Sequence, residues 1–194
     1  MFGAMLDANV LVPSLLRDTL LTLGAGGMYQ PRWSPVILGE TRHAIRSLRD
    51  AKGQDKEQTE AYIAHLFSET ERSFPDSSIT GWEHLEGTFG LRDPQDEHVV
   101  AAAVEGSAGV IVTENLRDFP EAKLPGELHA LSGVEFLDAT IEVNPAHAAK
   151  ELSLMAQRRG LSLGDLLDLM VMRLGTIPSL GRLRRYAEFE ARSP

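Results

Sequence analysis

Residues 93–119, DPQDEHVVAAAVEGSAGVIVTENLRDF, constrain the fold more than any other stretch of this 194-residue chain. Asp93 followed by Pro94 reads as an N-cap with proline at the first helical position, which starts a helix that ends near Gly106. Gly109 to Thr113 is then a five-residue apolar run of the kind buried in a sheet. A helix that feeds a core strand is part of a βαβ pattern, and such units give a mostly parallel sheet covered on both faces.

The rest of the first ~140 residues extends that pattern. AMLDANVLV reads as a short apolar strand interrupted by Asp7, and Pro13 opens a helix with Leu16, Leu20 and Leu23 on one face. MYQPRW (28–33) is a second short strand, confined to a sheet edge by Pro31. Ser34 and Pro35 start a helix, residues 54–73 form a polar one with Tyr62, Ile63, Leu66 and Phe67 as its apolar patch, and DSSITGW and VEFLDA read as further strands. After Asn144-Pro145 only helical patterns follow, through Ala148 to Arg159, Leu163 to Leu174, and LGRLRRYAEFEAR. The expected organisation is an α/β domain over residues 1–143 with a central mostly parallel sheet, followed by a helical extension over 144–194.

Composition narrows the chemistry. The chain has no cysteine, which removes disulfides, thiolate zinc sites and cysteine nucleophiles and leaves oxygen and imidazole as metal ligands. Its start, MFGAMLDANV, lacks the basic region of a signal peptide, and no apolar run approaches ~18 residues, so a cytoplasmic protein without a membrane span is expected. The net charge of -9 is unevenly placed. Residues 145–194 carry eight Lys/Arg against five Asp/Glu, whereas residues 1–144 carry eleven against twenty-three.

Four acids stand out by position. Asp7 is near the end of the first strand, Asp96 is in the first turn of the fourth helix, and Asp118 follows the VIVT strand. Glu40 falls in the apolar stripe of ILGETRHAIRSL, with Ile37, Ala44, Ile45 and Leu48, and is expected to face inward. In a parallel α/β sheet the strands' carboxyl ends gather on one edge, where ligands bind. Four carboxylates there repel one another unless a cation neutralises them, and an all-oxygen site suits Mg²⁺ or Mn²⁺. Each acid taken singly has a plainer explanation: a strand end for Asp7, an arginine partner for Glu40, the helix dipole for Asp96, an Asx turn for Asp118. Their conjunction carries the case. Nearby, Asp93 is the helix cap with a secondary place in the acidic cleft, Asn9 is a hydrogen-bonding neighbour of Asp7, and His98 is expected on the helix surface. Arg42, Arg46 and Arg49 form a stripe roughly opposite Glu40, expected to face solvent or a partner.

LDANVLV, SPVILGETRHAI, LRDPQDEHVVAAAV and VTENLRDF together resemble the PIN-domain family, and within it the VapC-like ribonuclease toxins of toxin–antitoxin modules. The four pieces occur in family order and cover most of residues 4–120. The resemblance implies a PIN-like three-layer α/β/α sandwich and a metal-dependent endoribonuclease. It sets Asp7, Glu40, Asp96 and Asp118 on the family's acidic metal-site positions and Thr113 and Asn115 on its supporting polar positions. Asp7 and Asp96 would be direct ligands, with Glu40 and Asp118 holding water or a second ion. It further implies an RNA substrate, a cognate antitoxin and a homodimer.

Two other α/β folds with an Asp after the first strand fit less well. A haloacid-dehalogenase-type phosphatase requires Asp-x-Asp where this chain has Asp7-Ala8-Asn9, and a receiver domain requires paired acids there and a later lysine. The rival of another class is a PIN-like scaffold that binds RNA or protein without cutting. For the tail, Arg173, Arg182, Arg184 and Arg185 are either an extension of an RNA-binding surface or internal salt-bridge partners.

Overall fold

The computed structural model describes residues 2–190. Its strands β1 (Gly3–Leu6), β2 (Gln30–Arg32), β3 (Ala108–Val112) and β4 (His129–Leu131) form one all-parallel sheet, order β2-β1-β3-β4, flanked by helices. The helices are α1 (Ala8–Leu11), α2 (Ser14–Ala25), α3 (Pro35–Ala51), α4 (Lys56–Ser73), α5 (Glu97–Glu105), α6 (Gly133–Val143), α7 (Pro145–Arg158), α8 (Leu163–Leu174) and α9 (Leu180–Glu190). They group into two compact units that interleave along the chain: residues 2–12 with 31–131, and residues 13–30 with the segment from 132 onward. The sequence boundary at residues 143 and 144 lies within the second unit, where Asn144 ends α6 and caps α7. Among the described residues no helix is long and apolar enough to cross a membrane.

In the first unit β1 and β3 are the central strands. All four residues of β1 are buried, as are Val110, Ile111 and Val112 of β3. Their parallel register pairs Leu6 with Val112, and the ladder continues one step beyond each strand. The Asp7 amide donates to the Val112 carbonyl (3.0 Å) and the Thr113 amide to the Leu131 carbonyl (2.9 Å). Asp7 and Thr113 therefore stand at the carboxyl ends of neighbouring strands. On this sheet packs α5, whose residues Glu97 to Ala103 are all buried, a sign of a helix covered on every side. Helix α3 begins as expected, with the Ser34 hydroxyl accepting from the Ile37 amide (3.2 Å) and Pro35 in the first turn.

Several sequence expectations are corrected. The first strand stops at Leu6, because Asp7 takes an extended conformation, accepts from the Ala8 amide and starts the short helix α1 instead. DSSITGW makes only one bridge, Trp33 to Ser78, and turns away at Gly81, whose φ of 84° is in the left-handed region. VEFLDA is helical: Ser132 and Glu135 form a capping box, and Phe136, Leu137, Thr140 and Ile141 are buried at helical spacing. The last strand is the preceding segment His129–Leu131. The arginine stripe of α3 packs on α4, where Arg42 pairs with Glu71 (3.2 Å) and Arg46 with Glu60 (2.5 Å), and Arg42 and Arg49 lie over the rings of Phe67 and Tyr62.

The second unit is helical and has its own core, including Leu16, Leu20, Leu23, Phe136, Leu137, Ile141, Leu152, Leu166 and Met170. Tyr29 is fully buried there. Its hydroxyl donates to the Leu20 carbonyl (3.0 Å) and its ring meets Phe136 edge-on at 4.9 Å. Two of the tail arginines are held internally, Arg182 by Glu142 (2.7 Å) and Arg184 by Asp168 (2.5 Å). Arg185 lines a cavity with Pro145, Arg182 and Tyr186, and no partner of Arg173 or Arg185 occurs among the described residues.

Candidate functional site

The carboxyl edge of the sheet carries a fixed polar network built on Asp7. Its Oδ2 accepts from the Thr113 hydroxyl (2.7 Å) and from the Asn9 amide nitrogen (2.7 Å). Asn9 also donates to Thr113 Oγ1 (2.9 Å), and its Oδ1 accepts from the Glu114 amide (2.9 Å), which ties the turn after β3 to the helix after β1. The Asn115 amide donates to the same Thr113 oxygen (3.0 Å), and its side chain donates to Asp118 Oδ2. Asn9, Thr113 and Asn115 thus hold two of the four acids in place. They are three of the four supporting residues named by the sequence; the fourth, Asp93, accepts instead from the Gln95 amide.

Asp96 sits at the junction of the single 3-10 turn Pro94–Asp96 and α5. Asp93 is the cap of that turn, its Oδ1 accepting from the Gln95 amide (2.9 Å). The Asp96 carboxyl is pushed up to about 6, by burial first and then by the negative charges of Asp93, Asp7 and Asp118, with His98 acting in the opposite direction. Burial also raises Asp7, against the hydrogen bonds from Thr113 and the Ala8 amide, and Glu40 adds to the rise. Asp7, Asp93, Asp96 and Asp118 therefore share one field, and Glu40 joins it through Asp7.

Glu40 differs from expectation. Its side chain is 47% exposed, because Ile37, Leu38, Thr41 and Ile45 form the buried row of α3 and Glu40 lies on its flank; Leu48 is exposed as well. What meets the carboxylate is His98, whose Nε2 is 3.3 Å from Glu40 Oε1. His98 was expected on the helix surface and is instead buried, beside Trp82 at 6.0 Å between ring centroids. Sequence reasoning also passed over Glu97. Its buried carboxylate accepts from the amides of Leu91 (3.0 Å) and Phe89 (3.3 Å). Burial pushes its carboxyl up, and the amides of Leu91, Phe89, Gly90 and Gly87 outweigh that and hold it below the usual range. The signal for both residues is the uninterrupted apolar run that follows them, Val99 to Ala103, which has no polar position to turn to solvent.

The fit of a cation rests on one atom. Asp96 Oδ2 is buried and has no hydrogen-bond partner, whereas buried carboxylate oxygens are as a rule satisfied. Among the described residues no group of three or more His, Asp or Glu side chains is placed to hold a metal ion. Mg²⁺ and Mn²⁺ do not require such a group, since Mg²⁺ keeps several waters and takes one or two carboxylates, and both prefer hard oxygen donors. An orphaned oxygen on Asp96 near the ordered carboxylate of Asp7 fits such an ion.

A family-wide sequence profile described as PIN domain matches residues 3–117. That stretch includes β1, α3, α5 and β3 with Asp7, Asn9, Glu40, Asp93, Asp96, Thr113 and Asn115, and stops one residue short of Asp118. No curated protein and no solved structure gives a significant match. With more than half of its residues matched, including both central strands of the sheet, the chain belongs to the PIN domain family.

Proposed function

We propose that this protein is a Mg²⁺- or Mn²⁺-dependent endoribonuclease, a VapC-like toxin that inhibits translation by cutting RNA and is neutralised by a cognate antitoxin protein. PIN domains are typically metal-dependent nucleases. The observation that carries the reading for this chain is the orphaned Oδ2 of Asp96, set among the charges of Asp93, Asp7 and Asp118. Asp7 and Asp96 would hold the ion directly, with Glu40 and Asp118 placing its waters. When bound, such an ion supplies Lewis-acid activation of water and neutralises charge on the phosphodiester.

The chain's own residues do the positioning. Thr113 and Asn9 fix Asp7 Oδ2 from two sides, so the carboxylate needs no reorganisation when a ligand arrives. Asn115 does the same for Asp118. The net reaction is hydrolysis: water adds to phosphorus, one P–O ester bond breaks, and the departing oxygen leaves as a hydroxyl. The resemblance to VapC toxins also supports a homodimer and a cytoplasmic location, where the RNA substrate is found.

The test is incubation of total cellular RNA with the purified protein, with and without Mg²⁺ and with cut sites mapped. Metal-dependent cleavage that disappears in Asp96→Asn is the expected result. RNA binding without cleavage under every metal condition would establish the alternative, a PIN-like scaffold.

A further inference from the structure

We propose that His98 is a positioning residue whose buried imidazole anchors the otherwise exposed Glu40 carboxylate at the acidic centre. The inference rests on the reading of Glu40 as part of that centre. Glu40 has its side chain 47% exposed, so by itself it is free to sample several rotamers away from the other acids. His98 is the opposite case. Its side chain is 7% exposed, it is the second residue of the buried run Glu97 to Ala103 of α5, and Trp82, itself buried, packs against it at a 47° interplanar angle.

The ring has one polar neighbour that explains its orientation. Nε2 lies 3.3 Å from Glu40 Oε1, whereas Nδ1 is buried with no hydrogen-bond partner. A carboxylate can only accept, so the contact is favourable when Nε2 carries the ring proton. His98 is also two residues from Asp96, the N-cap residue of the helix on which His98 stands. One rigid element thus sets Asp96 and holds Glu40, which is carried by α3, in a fixed relation to it. A histidine conserving only core volume has no need of this geometry: an apolar side chain would fill the space without leaving a buried, unpartnered Nδ1.

The test is a double-mutant cycle on full-length protein comparing wild type, His98→Leu, Glu40→Gln and the double variant, with His98→Gln as the conservative control. Two quantities are read: Mn²⁺ affinity from the metal-dependent rise in melting temperature, and the single-turnover rate of RNA cleavage. His98→Leu is expected to weaken Mn²⁺ binding about 10-fold, the scale typical of residues that orient metal ligands. In the Glu40→Gln background the same change should have no further effect, and His98→Gln, which retains a donor, should recover most of the affinity. An equal loss in both backgrounds overturns the proposal and leaves His98 a core residue. If Glu40→Gln alone changes neither affinity nor cleavage, the failure belongs to the placement of Glu40 in the site, and the anchoring role falls with it. If His98→Leu does not fold, the Nε2 nitrogen resonance of His98 in folded Glu40→Gln decides: a shift from wild type supports the contact, and an unchanged resonance overturns it.

Discussion

Asp96 is the residue where structure and chemistry meet most directly. In the metal-free protein its folded pKa of about 6 lies above its ordinary value of 3.8, so the folded state binds the proton more tightly than the unfolded chain. Stability from this group is present at acidic pH and is lost as pH rises through about 6. With EDTA present, the melting temperature of the wild type should therefore fall between pH 4.5 and 7.5 more steeply than that of Asp96→Asn, and at neutral pH the variant should be the more stable of the two. Parallel pH profiles for the two proteins would mean that neither burial nor the neighbouring acids raise the Asp96 carboxyl. Cleavage should be lost in Asp96→Asn at every pH.

At the scale of elements, two capping arrangements make separate claims. Ser132 and Glu135 close the N-terminus of α6 reciprocally, with the Ser132 amide donating to Glu135 (2.9 Å) and the Glu135 amide to the Ser132 hydroxyl (3.2 Å). Ser132→Ala should lower stability by ~1 kcal/mol in urea unfolding while leaving RNA cleavage intact. Glu97 acts on a loop: its two oxygens satisfy the Leu91 and Phe89 amides. Glu97→Gln keeps only one acceptor oxygen, so amide exchange should accelerate within residues 87–91 and stay unchanged in Val110–Val112. Uniform acceleration across both segments would mean that Glu97 supports the whole fold and not this loop.

At the scale of the whole molecule, the acid cluster and the tail arginines each make a claim that binding measurements can settle. Ions that bind the folded state alone stabilise it by mass action, by ~2.7 kcal/mol at a hundredfold excess over Kd. Mn²⁺ or Mg²⁺ should raise the melting temperature of the wild type and not that of Asp7→Asn/Asp96→Asn. For the tail, Arg182 and Arg184 already have carboxylate partners, and Arg185 has none among the described residues. Binding of uncleaved RNA to an Asp96→Asn protein should keep its salt slope when Arg182 or Arg184 becomes Gln. Arg185→Gln should flatten that slope by ~0.7 if Arg185 contacts a phosphate. Three parallel slopes would assign all these arginines to structure.

What the sequence by itself determined follows from local rules. The caps at Ser34 and Asp93, the prolines after them, the edge strand at Pro31 and the buried strand ending at Val112 are set by residues within a few positions of one another. So is the Ser132 capping box, although its four-residue signal was outweighed in VEFLDA by a short apolar run that fits strand and helix alike. Tertiary structure alone decided the rest. Whether Glu40 is buried depends on what covers the flank of α3, and whether His98 is exposed depends on Trp82, sixteen residues earlier in the chain. The side-by-side placement of Asp7 and Thr113, 106 residues apart, exists only because β1 and β3 pair in register. Local sequence can name an acid, but only the packing of distant segments sets the field that raises its pKa or leaves one of its oxygens without a partner.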